Sequence, residues 1–227
     1  MVRTMFSREL EKLQDDVLVL GSMVRQAILD AVEALRARDH DAARRIIAGD
    51  RQINARKYTL EQNCLTLIAT QQPMARDLRF LAAVLDISTE LERMGDYAKG
   101  ISKINLYLGH EPLVKPLIDI PRMADKAMDM LQRSLDAFVN QDVEAARAIP
   151  LEDDEIDALY NKVSRDLIEL IIKNPEIIDR ANYLSWVAHN LERAADRVTN
   201  ICERVIYTVT GDLVEFDAEE PFLSGTN

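Results

Sequence analysis

The sequence predicts an all-α protein made of two tandem, similar three-helix bundles related by pseudo-two-fold symmetry. Three observations carry that prediction. Apolar residues recur every three or four positions over long stretches, the period of a helix with one buried face. Residues 32–54 match residues 135–157 at one constant shift, 32 falling on 135 and 54 on 157. The chain also has only 7 Gly and 7 Pro among 227 residues, too few for the many turns of an all-β fold.

The first helix follows from Phe6, Leu10, Leu13, Val17, Leu20, Val24, Ile28, Ala31 and Leu35, which draw a single apolar seam. Asp39 closes that seam and opens a second helix, with Ile46, Ile53, Leu60, Cys64 and Leu67 expected inward. Pro73 marks the next break, near a helix start where proline is tolerated. A third helix then carries Val84, Ile87, Leu91, Met94, Ala98 and Ile101. "YLGHEPLVKP" ends it with glycine and two prolines. The expected organisation is a first bundle over 1–108, a linker over 109–117, a second bundle over 118–210 and an irregular tail over 211–227.

The second copy keeps the first one's signposts. Ala34 matches Ala137, Asp39 matches Asp142, Asp50 matches Asp153 and Ile53 matches Ile156. Val187, Leu191, Ala194, Val198, Ile201 and Val205 repeat the third-helix seam one hundred positions on, so a short deletion falls near "KNPEII". An internal duplication explains all of this.

Composition narrows the function classes. Hydrophobic residues make up 48% and charged residues 30%, a globular balance. The net charge of −11, from 28 basic and 39 acidic residues, argues against nucleic acid as a partner. No apolar run suggests a signal peptide or a membrane span. A cytoplasmic protein is expected, reaching a membrane only through partners. Cys64 and Cys202, single and within helical patterns, read as reduced core thiols.

The chemistry sits in repeated acid pairs. "LERMGD" places Glu92 and Asp96 four apart, and "LERAAD" does the same with Glu192 and Asp196, with Asn200 one turn on. Each glutamate follows a seam leucine and so lies about 100° round from the core line. The second helices offer the same device, Asp50 with Asn54 and Asp153 with Asp157. Like charges at this spacing repel on a helix by roughly 0.2–0.5 kcal/mol. Any single pair is explained as a solvated helix face. Recurrence at equivalent positions of both copies favours oxygen ligands for a cation, whose binding relieves the repulsion. Such donors suit Mg, Ca, Mn or iron better than a Cys/His zinc site. The rival explanation is that Arg93 and Arg193 neutralise the acids as ordinary salt bridges.

Other features carry less. His40, His110 and His189 include none three residues after a glutamate, as a ferritin-like redox centre would want. His189 precedes Glu192 in the reverse order and reads as a structural or surface histidine. No phosphate loop, nucleophile motif or Cys/His cluster is present. Trp186 is expected in the core or an interface. In "QPMARDLRF", Arg76, Asp77 and Arg79 read either as a charge-paired helix start or as a partner contact.

The duplicated unit, "GDRQIN", "QPMARDLRF", "LERMGD" and "NLERAADRVTNICE" together resemble the PhoU family over about residues 5–211. The resemblance implies a cytoplasmic, often homodimeric regulator of phosphate uptake, not an enzyme. It implies partners, the phosphate transporter ATPase and a membrane-bound phosphate-sensing histidine kinase, and repression of the phosphate-starvation response. It further implies metal ions, iron or zinc, on E(D)xxxD(N) motifs. By position those fall on Asp50, Asn54, Glu92 and Asp96, and on Asp153, Asp157, Glu192, Asp196 and Asn200. Gly100 stands where the second copy has Asn200, so the two sites are expected to differ. The alternatives are a carboxylate-ligated metalloenzyme and a metal-free helical adaptor.

Overall fold

A computed structural model describes residues 2–216. The first copy comprises α1 (Val2–Ala37), α2 (His40–Gln71) and α3 (Ala75–Tyr107). The second comprises α4 (Asp119–Asn140), α5 (Val143–Ala148), α6 (Asp153–Lys173) and α7 (Ile178–Thr210). Short 3-10 turns stand at Ile149–Glu152 and Pro175–Ile177, and no strand occurs among the described residues. Of the tail, 211–216 is non-helical; the rest of it lies outside the described residues.

The duplication extends to individual hydrogen bonds. Arg38 and Gln141, at equivalent positions, end their helices in the left-handed region at φ 57° and 56°. The next residues, Asp39 and Asp142, cap the following helices by accepting from Ala42 N at 2.8 Å and Ala145 N at 3.0 Å. Each cap satisfies one of the backbone donors that a helix start leaves unpaired.

The copies part at the second helix. α2 is continuous, whereas its counterpart is split into α5, a 3-10 turn and α6. The sequence reading expected one helix here. Pro150 stands in place of Ile47, and it removes a backbone donor while its ring crowds the preceding turn.

One core runs through both copies. α1 packs on α3 and α4, and α3 lies along α7. Leu91 and Leu191, like Val84, Ile87, Met94, Val187, Val198 and Ile201, are fully buried. Gly21 permits the close approach of α1 to α4, since a Cβ there would overlap Leu135. Cys64 and Cys202 are free and buried, and burial pushes both thiols up to about 12. Trp186 departs from the core expectation. It is 56% exposed and meets His189 edge-on, because it falls on the outer flank of α7.

The α3–α7 crossing has the form of a two-fold contact. Asn200 donates to Glu90 at 3.2 Å. Reciprocally, a Cβ on Gly100 would lie 3.2 Å from Nδ2 of Asn190. Positions 100 and 200 thus meet positions 190 and 90, as a self-complementary interface requires.

Candidate metal centre

α2 and α3 bring the first acidic strip together. Asp50, only 5% exposed, accepts from Lys99 Nζ at 2.7 Å and from Asn54 Nδ2 at 3.3 Å, both on Oδ2. Asp50 Oδ1 and Asn54 Oδ1 are buried with no hydrogen-bond partner. Asp96 is exposed and stands 3.4 Å from the same Lys99 amine. Burial, then Asp96 and Asp50, raise the Glu92 carboxyl above its ordinary range, against the pull of Lys57 and Arg93. These four residues therefore share one field.

In the second copy, α6 and α7 make the corresponding strip. Burial pushes Glu192 up to about 7, reinforced by Asp196 and Asp157 and only partly offset by Arg193 and Arg197. Asp153 begins α6, one turn before Asp157 on the same flank. His189 Nδ1 lies 3.3 Å from Glu192 Oε2, close enough for an ion pair if protonated but not in hydrogen-bond geometry. The histidine read as structural or surface is thus beside the strip.

Three expectations meet further contacts in the structure. Asn200 donates its side-chain amide to Glu90 across the α3–α7 seam, which ties it to the joint between the copies. Arg93 and Arg193 each make a contact outside the strips. Arg93 pairs with Glu90 at 2.7 Å, and the Arg193 guanidinium lies 6.0 Å over the Tyr97 ring. In the first copy Lys99 is the cation that bonds Asp50 and Asp96. Thr199 holds the equivalent place in the second, buried, with Oγ1 lacking a partner. The reading of Arg76, Asp77 and Arg79 as paired among themselves also changes, since Arg76 donates to Gln141 in the second copy.

Lys99 and Glu90 are the residues that sequence reasoning missed. Lys99 follows Asp96 by three positions, a spacing that does allow an ion pair. Glu90 accepts from Arg93, Arg197 and Asn200, a role visible only once α3 and α7 are crossed.

The strips fit a hard cation by donor chemistry. The buried, unpartnered oxygens of Asp50 and Asn54 are costly unless something positive meets them. They stand open, however: among the described residues no group of three or more His, Cys, Asp or Glu is drawn tightly enough to hold a metal ion. Asp50, Asn54, Glu92 and Asp96 would hold a cation in the first copy, and Asp153, Asp157, Glu192 and Asp196, with Asn200 beside them, in the second.

Comparison with known proteins gives a consistent picture. The family model for the PhoU domain matches twice, over residues 17–104 and 120–205. A phosphate-specific transport system accessory protein PhoU homolog from Clostridium acetobutylicum is 35% identical over 221 residues, covering 96% of this chain and 100% of that protein. The accessory protein PhoU of Escherichia coli is 34% identical over 209 residues, covering 91% and 86% respectively. The crystal structure of the phosphate transport system regulatory protein PhoU from Streptococcus pneumoniae superposes with a TM-score of 0.86 at 34% identity, covering 92% of this chain and 99% of that one.

Proposed function

The chain belongs to the PhoU family, and we propose that it is an accessory regulator of a phosphate transport system. The observation that carries this reading is full-length similarity to relatives named as accessory proteins of phosphate-specific transport. The protein is read as a non-enzymatic, cytoplasmic homodimer that couples the transporter ATPase to a phosphate-sensing histidine kinase. In that role it limits phosphate uptake and represses the starvation response when phosphate is plentiful. A long helical body with exposed flanks suits such contacts, and its acidity favours basic surfaces on partners. Among the described residues, no helix is long and apolar enough to cross a membrane.

We further propose that the acidic strips bind metal ions, iron or zinc by family likeness, with Mg, Mn or Ca open on ligand chemistry. A bound cation would supply the positive charge that the crowded carboxylates lack. This chain's own residues set the terms. Glu192 must give up its proton to ligate, and Lys99 must release Asp50.

A metal-free adaptor is the second reading, favoured in the first copy alone by the Lys99–Asp50 bridge. Deleting the gene and assaying phosphate-repressed genes in high phosphate tests the regulatory role; unchanged repression would overturn it. Elemental analysis of chelator-free protein, wild type against Glu92→Ala/Asp96→Ala/Glu192→Ala/Asp196→Ala, tests metal binding. Equal metal content in the two samples would overturn that part.

A further inference from the structure

The two copies differ at one more place, the gap between the first and second helices of each repeat. In the first copy, α1 and α2 leave an open groove of about 850 Å³. Its floor includes Ala27, Ile46, Ile53 and Gly95. Its rim carries Asp30, Glu33 and Asp39 against Arg45, with Glu33 also paired to Arg36 on its own helix, while Asp50 lies buried beneath against Lys99. The lining extends along α1 from Ser22 to Ala37, about 22 Å of helix. The hollow is therefore a trough, too long for a compact small molecule.

In the second copy the chain fills the same gap itself. Met130, fully buried, stands where the first copy has Ala27. Arg133 replaces Asp30 and Glu152 replaces Gly49. Those two charged groups bridge α4 to the 3-10 turn through paired bonds of 2.7 and 2.8 Å. The filling is thus one apolar side chain and one guanidinium. In the first copy a Cβ on Gly49 would meet nothing within 4 Å, and Asp30 and Glu33 are exposed, bonded only to Gln26 and Arg36 of their own helix.

From this we propose that the α1–α2 groove of the first repeat is a docking site for a cationic amphipathic helix of a partner protein. The partner would supply from outside what Met130 and Arg133 supply from within. Helices lie in apolar grooves through anchors one turn apart, and an acid rim selects basic flanks. A second copy of this chain is the wrong occupant, since it would bring a net charge of −11 to an acidic rim. The proposal goes beyond the regulatory reading and needs no metal.

The test uses a fluorescent synthetic peptide of about five helical turns, with Leu and Met on one face and Lys and Arg on the other. Binding to the full-length protein is followed by anisotropy with chelator present. Ala27→Met/Asp30→Arg/Gly49→Glu transplants the second repeat's filling into the first. It is expected to weaken binding about tenfold or more, as is scrambling the peptide at constant composition. Should the transplant fail to fold, Asp30→Lys/Glu33→Lys changes only exposed residues and is expected to weaken binding as much. Undetectable binding to wild type, or equal binding by either variant or by the scrambled peptide, would overturn the proposal. Metal content is measured on the same samples, so a failure here is distinguishable from a failure of the metal reading.

Discussion

The first and second acidic strips are built on equivalent helices from equivalent acids, and burial with crowding raises the glutamate of each, yet only the first carries a lysine among its acids. In the first, Lys99 reaches Asp50 at 2.7 Å and Asp96 at 3.4 Å, so the protein brings its own cation. In the second, Thr199 occupies that position and Glu192 is pushed up to about 7. One residue of difference, Lys99 against Thr199, decides whether an amine stands on the strip. A duplicated site need not be a duplicated function.

Four measurements would break or sharpen that contrast. The largest effect is expected from Leu91→Ala and Leu191→Ala, both fully buried at matching positions. Each should cost about 2–5 kcal/mol, and because one core spans both copies, each should leave a single urea transition. Two separated transitions would show that the halves fold apart.

Next comes pH. A carboxyl whose folded pKa is raised holds its proton more tightly folded than unfolded. The Glu192 contribution is therefore fully present below about 4.5 and lost as pH rises through about 7. Urea titrations of cation-free protein should show wild type losing on the order of 2 kcal/mol relative to Glu192→Gln across that window. Parallel pH profiles for the two proteins would contradict the raised carboxyl.

Third, Lys99→Thr converts the first strip toward the second. Calorimetric titration should find its cation affinity raised about tenfold, worth about 1.4 kcal/mol. An unchanged affinity would mean that Lys99 is not the competitor. The smallest effect is expected at the helix caps, where Asp39→Ala and Asp142→Ala should each cost about 1 kcal/mol of stability. A clear inequality in thermal denaturation would show that the paired turns carry different strain.

Much of this was legible beforehand. The seam leucines, the capping aspartates and the shared shift between copies fixed the helices, because each depends on local spacing. The break at Pro150 was also written in the sequence, but the strength of the flanking helical pattern masked it. What spacing could not show was contact between helices. Arg93 neighbours Glu92 along the chain, yet its guanidinium turns to Glu90. Asn200 continues the acidic flank in register but is taken by the opposite copy. Trp186 sits one position from a seam valine, and that single step of about 100° carries it to the outside. The open groove depended on three small or reversed residues, Ala27, Asp30 and Gly49, whose meaning appears only beside Met130, Arg133 and Glu152.

The two sheltered thiols have a practical consequence. Cys64 lies on α2 and Cys202 on α7, so each repeat contains one sulfhydryl, silent toward alkylating reagents while its surroundings stay closed. Timed labelling followed by peptide mapping would record when each repeat first exposes its sulfur. The native protein thus carries two independent clocks for local opening, with no engineered probe required.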